Sequence, residues 1–414
     1  MSVNYAPELA ATSRCTGCAA CMASCGNGAI LMRSDDKGFL HPCVNLSKCT
    51  GCGKCSSTCP ELNEAVSPCS PASVYACWDT DLERRMQATS GGVFMRLAEF
   101  VLNQGGSVCG AIFDEGLAVH HVVTREHAVV EKMRGSKYVQ SNVGLALEKC
   151  AELLRADEFV LFTGTPCQVA AMRQIAARIR TGRLLSVDVL CHGAPSPLFW
   201  ESYLEYRESE NGSKAMHAWF RKKTPSWTVF SLELDFKTEH RLHAWCTTED
   251  LFLRAFLGDY ISRSCCHSCR YVGPERVGDI TLADFWGYIS ETRADRNDEK
   301  GISLVMLNTA EGEGAFSKIA ANLKIVHKTL EEAQRGNVPL RKAIPCNLRR
   351  EEFWKAFYAG GIEAVRDDYL APVKRSLKHR ANLFLNDHAY LIPSRVRSRI
   401  LGARDGMKAR IKKA

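Results

Sequence analysis

The sequence has 414 residues, of which 46% are hydrophobic and 24% are charged, and this composition excludes a wholly disordered chain. Its 20 cysteines, in a long chain without an apolar leader, point to metal or redox chemistry rather than to a disulfide framework. The net charge of +8 comes from the tail, because residues 374–414 contain twelve Lys and Arg against two acidic residues. The rest of the chain is near neutral, so we expect no groove that binds nucleic acid. The sequence contains no apolar run long enough to span a membrane, and we therefore expect a cytoplasmic protein.

Two cysteine runs with the spacing C-x2-C-x2-C-x3-C form an internal repeat near the N-terminus. Six of the eleven positions in residues 15–25 recur in residues 49–59. This is the spacing of bacterial two-cluster ferredoxins, in which the fourth cysteine of each run binds the other cluster. It predicts one [4Fe-4S] cluster on Cys15, Cys18, Cys21 and Cys59 and a second on Cys49, Cys52, Cys55 and Cys25. Two structural zinc sites are the alternative. A zinc ion, however, needs four thiolates and does not need three cysteines in the spacing C-x2-C-x2-C.

Turn-forming residues follow the repeat, and apolar runs then alternate with helical patterns. Pro68, Ser70 and Pro71 favour a domain boundary near residue 70. Strands are predicted at 74–76, 108–113, 159–163 and 184–190, and helices at 93–102, 168–179 and 198–206. Residues 230–236 alternate between apolar and polar, as in an antiparallel strand with one wet face. We therefore expect a ferredoxin-type domain over residues 1–70, a mixed-sheet α/β domain over 71–350 and a helical, basic extension over 351–414.

Two loops are candidates for cofactor binding. Ser90, Gly91 and Gly92 precede the helix predicted at 93–102, where free backbone amides favour a phosphate, although Ser-Gly-Gly is also an ordinary helix cap. The loop at 135–141 combines a cation, an aromatic ring and amides, but a solvated loop explains this composition equally well. Neither a G-x-G-x-x-G sequence nor a Walker A loop occurs, so a standard Rossmann dinucleotide site is not expected.

Four later cysteines stand where an open α/β sheet places its ligands. Cys167 and Cys191 follow the strands predicted at 159–163 and 184–190, and Cys266 and Cys269 form a C-x2-C pair. Cys167 also lies at a predicted helix N-terminus, where the helix dipole favours a thiolate. The spacing suggests a third cluster on these four cysteines, with scattered thiols as the alternative. Cys265 fits the spacing as well as Cys266 does.

Together these segments resemble the beta-subunit family of coenzyme F420 hydrogenase/dehydrogenase, which includes plant hydroxymethyl-chlorophyll reductase. The resemblance covers about residues 10 to 335. Besides the double cysteine run, its marks are ATSGGVF at 88–94, GSKYVQ at 135–140, TGTPCQ at 163–168, CHGAPSP at 191–197 and GDITLADFWG at 278–287. The resemblance implies an FAD bound without a Rossmann fingerprint, and beside it a [4Fe-4S] cluster on Cys167, Cys191, Cys266 and Cys269. It also implies flavin contacts from Ser90, Gly91, Gly92, Lys137, Tyr138 and Gln140.

Clusters and flavin in one chain predict an iron-sulfur flavoprotein oxidoreductase. Clusters pass single electrons, whereas a flavin gathers two and delivers a hydride. We expect electron exchange between ferredoxin-type clusters and an organic small molecule, either deazaflavin coenzyme F420 or another substrate, with a ferredoxin or a larger oxidoreductase as redox partner. The alternative is a non-catalytic electron-transfer subunit that connects a partner enzyme. The tail after residue 391 mixes basic and apolar residues, a pattern that fits peripheral membrane contact or a solvated, partner-binding helix.

Overall fold

The duplicated cysteine runs fold as two short helices joined by a hairpin. The computed structural model describes residues 6–63, 68–224, 226–238, 241–245, 249–296 and 299–372. Ala19 and Gly53 occupy equivalent places in the two runs, and each adopts a left-handed backbone conformation immediately before its helix, with φ of 63° and 71°. The sequence repeat is therefore also a repeat of backbone geometry.

The described residues form thirteen strands and twelve α-helices. In chain order the strands are β1 (Ile30–Ser34), β2 (Leu40–Val44), β3 (Ser73–Asp79), β4 (Ser107–Phe113), β5 (Val119–Thr124), β6 (Phe159–Gly164), β7 (Arg183–Val189), β8 (Ala215–Lys222), β9 (Ser231–Phe236), β10 (Arg241–Trp245), β11 (Ile280–Asp284), β12 (Ser303–Leu307) and β13 (Leu323–Lys328). The helices are α1 (Ala20–Ala23), α2 (Lys54–Thr58), α3 (Leu82–Gln87), α4 (Val93–Asn103), α5 (His127–Met133), α6 (Ala146–Arg155), α7 (Pro166–Ala176), α8 (Pro197–Asn211), α9 (Leu251–Leu257), α10 (Ala310–Ile319), α11 (Leu330–Gly336) and α12 (Arg350–Tyr369).

An eight-stranded mixed sheet organises the middle of the chain, in the order β13-β3-β12-β11-β7-β6-β4-β5. The neighbours β4, β6, β7 and β11 run parallel, and the pairs beyond them are antiparallel. The carboxyl ends of the four parallel strands therefore meet at one edge of the sheet. This is the edge at which such folds bind ligands.

Helices cover both faces of this sheet, as side chains of β6 illustrate. Leu161 packs with residues of α4 and α10, whereas Val160 and Phe162 pack with residues of α6 and α7. The buried side chains of α4 include Val93, Leu97 and Val101, which recur every four residues and so form one apolar stripe. Strands buried on both faces are nearly continuous in apolar residues, which explains the runs in the sequence.

A smaller sheet, in the order β10-β9-β8, packs with α8, α9 and α12. Its core is aromatic and includes Phe199, Trp200, Phe220, Phe252 and Trp354. Aromatic pairs with ring centroids 4.5–7 Å apart add to the stability that burial alone supplies. Trp200 and Phe220 lie 4.9 Å apart in this core.

The fold class predicted from the sequence is confirmed: the sheet is mixed, and the predicted strands and helices occur within a few residues of their expected bounds. The proposed division at residue 70 stays a prediction. The extension over 351–414 begins with α12, which is interrupted at Gly360 and Gly361. Residues 373–414, including the segment considered for membrane contact, lie outside the described residues. Within the described part of the chain, no helix is long and apolar enough to cross a bilayer.

A buried ion pair fastens β7 to the segment before β11. Arg276 and Asp188 are both almost fully buried, and Arg276 Nη2 lies 3.3 Å from Asp188 Oδ2. Asp188→Ala is expected to lower the free energy of unfolding by about 3–5 kcal/mol, because the guanidinium would keep its burial and lose its counter-charge. Denaturant unfolding measures the loss. Asp81→Ala, which removes only the exposed cap of α3, should cost about 0.5–2 kcal/mol, and equal losses in the two variants would contradict the assignment.

Candidate functional site

Four cysteines of the N-terminal runs surround one small cavity. Cys15, Cys18, Cys21 and Cys59 all line it. Three of them are buried and Cys21 is half-buried. Burial, together with the charges of the neighbouring thiols Cys59 and Cys15, raises the pKa of Cys18 to about 12. The structure thus brings the fourth cysteine of the second run to the first three cysteines of the first run, which is the grouping that the spacing predicts.

The other N-terminal set lies nearer to solvent. Cys52 is exposed, whereas Cys55 is buried. The loop after Cys25 reaches the loop after Cys49 through a hydrogen bond of 3.0 Å from Asn27 Nδ2 to Thr50 Oγ1. A backbone N–H from Lys54 lowers the pKa of Cys52 by favouring its thiolate. This set therefore has the accessible position that exchange with another protein requires.

A third group of cysteines converges at the carboxyl edge of the parallel strands. Cys167 lies in the first turn of α7, which follows β6, and Cys191 follows β7. Since β6 and β7 are paired and parallel, both chains leave the sheet at the same edge. A short 3-10 turn, Ser264–Ser268, brings Cys266 and the adjoining Cys269 to the same place. All four cysteines line a cavity of about 520 Å³.

Hydrogen bonds at the sulfurs suit these thiols to bind a metal cluster. The backbone N–H of Gly193 donates to Cys191 Sγ at 3.3 Å, and that of Ala194 donates to Cys266 Sγ at 3.5 Å. Thr165 Oγ1 lies 3.2 Å from Cys167 Sγ. Hydrogen bonds to sulfur are among the factors that set the potential of iron-sulfur clusters. The donor set and its partners therefore fit a [4Fe-4S] cluster.

Burial changes one expectation about these thiols. The helix dipole was expected to favour a thiolate at Cys167, but burial raises the pKa of that thiol well above its ordinary value. It also raises the pKa of Cys191 to about 12. Without a cation, both thiols therefore hold their protons, and iron would have to displace them.

Cys265 lines the same cavity, so five cysteines of the described part of the chain face it. Its neighbour Cys266 accepts the backbone N–H of Ala194, whereas Cys265 is close enough to Cys15 for its charge to raise the pKa of that thiol. Among the described residues, no three Cys, His, Asp or Glu side chains gather about a single metal-ion position. The thiols instead surround cavities.

The two cysteine-lined cavities share a wall. Thr16 and Glu61 line both cavities. The charge of Cys18 in the first set also raises the pKa of Cys167 in the third. Tyr271 fastens the wall by donating a hydrogen bond of 3.0 Å from its hydroxyl to Glu61 Oε1. The first and third sets are therefore adjacent.

The glycine turn before α4 packs tightly on the sheet. Ser90 Oγ donates to the Ile302 carbonyl at 2.7 Å, and the Gly91 N–H donates to Ser303 Oγ at 2.8 Å. A Cβ atom at Gly91 would clash with the Cys77 carbonyl oxygen. Gly92, at φ 97°, begins α4. Close packing thus explains why a glycine occupies position 91. A larger residue there would disturb the fold, so its effect on flavin binding could not be separated from its effect on folding.

The second predicted flavin loop lies beside this turn. The Ser136 N–H donates to Thr89 Oγ1 at 3.0 Å and joins the two segments. Lys137 Nζ contacts three backbone carbonyls at 3.2–3.4 Å, and the described residues offer it no carboxylate. Loss of water around this ammonium lowers the pKa of Lys137 to about 7. The arrangement suits an anionic ligand group, which would restore the charge.

Two residues of that loop have other partners. The Tyr138 hydroxyl accepts a hydrogen bond of 3.1 Å from Arg221 Nη1. Gln140 Oε1 accepts the Leu40 N–H at 2.9 Å, so this side chain joins the loop to the N-terminal hairpin. The structure therefore gathers Ser90, Gly91, Gly92, Lys137 and Tyr138 in one region and directs Gln140 away from it.

The sequence analysis missed a buried cation in this region. Arg221 Nη1 lies 2.6 Å from Asp284 Oδ2, and the guanidinium stacks 3.9 Å from the centroid of Phe230. Its Nε and Nη2 atoms have no hydrogen-bond partner among the described residues. Lys223 donates to the Ser90 carbonyl at 2.6 Å and so supports the glycine turn. Three consecutive cations, at positions 221–223, were the available sequence signal.

Comparisons with known proteins match two parts of the chain. Residues 157–333 match the family model for the carboxyl-terminal part of the beta subunit of coenzyme F420 hydrogenase/dehydrogenase. Residues 14–62 match the model of the "4Fe-4S dicluster domain". A search of curated proteins found no match.

Twelve chains of solved structures match this chain. One belongs to the F420-reducing [NiFe] hydrogenase complex from Methanosarcina barkeri, in a study of xenon derivatization. It is 19% identical with a TM-score of 0.47, and the match covers 71% of this chain and 94% of that one. The two family models therefore identify residues 157–333 as similar to the carboxyl-terminal part of the beta subunit of coenzyme F420 hydrogenase/dehydrogenase and residues 14–62 as a 4Fe-4S segment.

Proposed function

We propose that this protein is an iron-sulfur flavoprotein oxidoreductase that moves electrons between three [4Fe-4S] clusters and an FAD, which then reduces or oxidises a small organic molecule. The observation that carries this proposal is the shared wall between two cavities, each lined by at least four cysteines. Clusters supply one-electron transfer and a flavin supplies the two-electron step. Cys15, Cys18, Cys21 and Cys59 hold the first cluster, and Cys167, Cys191, Cys266 and Cys269 hold the third.

The exposure of the cysteines suggests an order for the transfer. Cys52 of the second set is exposed, whereas the first set is largely buried and adjoins the third. A redox partner such as a ferredoxin or a larger oxidoreductase would therefore dock beside Cys52, and the electron would move inward along the first and third sets.

The same edge of the sheet continues from the third set toward the flavin residues. In the sheet order, β11 lies between β7 and β12, so Asp284 at its end stands between Cys191 and the glycine turn packed on β12. The half-buried ammonium of Lys137 would bind an anionic group of the flavin, and Ser90, Gly92 and Tyr138 lie in the same region. FAD and substrate would thus share this edge with the third cluster.

Assay of the isolated chain tests the function directly. The anaerobic, dithionite-reduced protein should reduce coenzyme F420 or another two-electron acceptor through its flavin. An electron-transfer subunit without substrate chemistry would not reduce any small acceptor by itself. It would support that reduction only when a partner enzyme is added. Absence of both flavin and iron from the anaerobically purified chain would reject both functions.

Iron content tests the cluster assignments. The intact protein should carry about twelve irons, at four per cluster, and the double variant Cys167→Ser, Cys269→Ser about eight. Cys43→Ser is the matched control, because Cys43 is exposed on β2 and lines neither cavity. Iron content equal to the parent in the double variant would remove the third cluster. Single Cys265→Ser and Cys266→Ser variants then identify the fourth ligand.

Flavin binding tests Lys137. Lys137→Met should weaken flavin binding by about tenfold or more, because a hydrogen bond to a charged group contributes about 1.5–3 kcal/mol. In the parent, binding should also weaken as pH rises above about 7, since the ammonium that the anion needs loses its proton there. Ultrafiltration and fluorescence of released flavin measure both effects. Lys149→Met, on the exposed face of α6, is the control, and equal flavin retention by both variants would remove Lys137 from the site.

Stopped-flow absorbance tests the role of the third set. In Cys191→Ser, dithionite should bleach the N-terminal clusters normally, whereas flavin reduction should become at least tenfold slower. Chemically reduced flavin should still turn over with an acceptor, because hydride transfer needs only flavin and substrate. Unchanged flavin reduction in a protein shown to lack the third cluster would mean that electrons take another route.

A further inference from the structure

One arginine belongs to both cysteine sites. The backbone N–H of Arg263 donates to the Ala194 carbonyl at 2.9 Å, within the loop that follows Cys191. Its own carbonyl accepts the N–H of Cys266 at 3.0 Å. The main chain of Arg263 is therefore part of the framework that holds the third set of cysteines.

The side chain of the same residue reaches the first set. Arg263 Nε donates to the Cys15 carbonyl at 2.8 Å, and Nη2 donates to the Leu40 carbonyl at 3.0 Å. Nη2 also lies 3.0 Å from a ring nitrogen of His41, and the guanidinium stacks 5.4 Å from the centroid of Phe39. These contacts fix the cation between the loop of Cys15 and the larger cavity, which it also lines.

The charge of Arg263 has no counter-charge from the described residues. The residue is 2% exposed, and its Nη1 atom has no hydrogen-bond partner among the described residues. Two other buried arginines contact carboxylates, Arg276 at 3.3 Å from Asp188 and Arg221 at 2.6 Å from Asp284. The nearby carboxylate of Asp35 contacts His41 instead, at 3.2 Å. Burying an unpaired cation is costly, so the position favours an anionic group that the described residues do not supply.

A cluster held by four thiolates is such a group. Its net charge is negative, and reduction adds one more negative charge. A fixed cation in a water-poor site stabilises the reduced form more than the oxidised form, since the attraction grows with the charge. The position of Arg263 therefore matters for the potential of the cluster as well as for the docking of the N-terminal segment.

We propose that Arg263 tunes electron transfer, an inference that rests on the proposed function: its guanidinium raises the reduction potential of the cluster held by Cys15 and so retains an incoming electron beside the third set of cysteines. One electron leaves the donor, which is oxidised by one equivalent, and the cluster on Cys15 is reduced by one. No bond forms or breaks. Arg263 is a positioning residue, because it acts through the cluster and its ligands.

An anaerobic redox titration followed by electron paramagnetic resonance tests this role in the full-length protein, with dithionite as reductant. Arg263→Gln removes the charge and should favour the oxidised form of the first cluster by about tenfold, which for one electron is a shift of about 59 mV to lower potential. Arg263→Lys keeps the charge and should shift that equilibrium by less than threefold. In both variants, the iron content and the reduction potential of the second cluster should equal those of the parent protein.

Arg178→Gln is the matched control. Arg178 also joins α/β and N-terminal segments, through Thr58 Oγ1 and the Ser57 carbonyl, but it does not contact Cys15. The reduction potentials of the clusters in the Arg178→Gln protein should equal those of the parent protein. An unchanged potential in Arg263→Gln, equal shifts in the Gln and Lys variants, an equal shift in the control, or loss of the first cluster's iron from either variant would overturn the tuning role. Failure of the proposed function would be recognised separately, since the parent itself would then show no reducible N-terminal clusters.

Discussion

The parallel pairing of β6 with β7 is the constraint on which the candidate site depends. Parallel strands must leave the sheet at the same edge, so Cys167 and Cys191 meet there although they are separated in sequence by a helix and a strand. The segment that carries Cys266 and Cys269 is brought to the same edge just before β11, which pairs with β7. A ligand set drawn from three segments is therefore as rigid as the sheet that presents it.

Docking of the N-terminal segment turns separate cysteine sets into neighbours. Cys18 and Ala20 pack into the same apolar cluster as residues of α6 and α7. Polar contacts then fix the orientation, because Gln140 and Arg263 bind the backbone of the N-terminal segment at Leu40 and Cys15. Apolar packing holds the segment in place, whereas these directed hydrogen bonds determine which cysteines face each other.

Local patterns were sufficient to predict the mixed sheet and the approach of Cys59 to Cys15, Cys18 and Cys21. The apolar runs of β4, β6 and β7 reflect burial on both faces, and the cysteine spacing reflects the size of a cubane. Contacts between distant segments were beyond that reasoning. Gln140, whose role as a flavin contact stays a prediction, binds Leu40, 100 positions away, and Arg263 meets Cys15 across 248 positions. The glycine turn was also read for its amides, whereas the neighbouring strands explain Gly91.

The left-handed residues before α1 and α2 show that the two halves of the repeat have become different. Gly53 adopts this conformation without cost, whereas Ala19 adopts it against a steric penalty, and Ala19 is buried at 3% exposure. The first half can sustain the strained residue because the α/β layer packs around it, whereas Thr50, Gly51 and Cys52 of the second half are exposed to water. With the clusters of the proposed function bound, a charge arriving in the second half would reorganise solvent, whereas a charge arriving in the first half would meet fixed dipoles. The proposed electron path would then have one solvent-exposed end and one buried end, and the two ends would not be interchangeable.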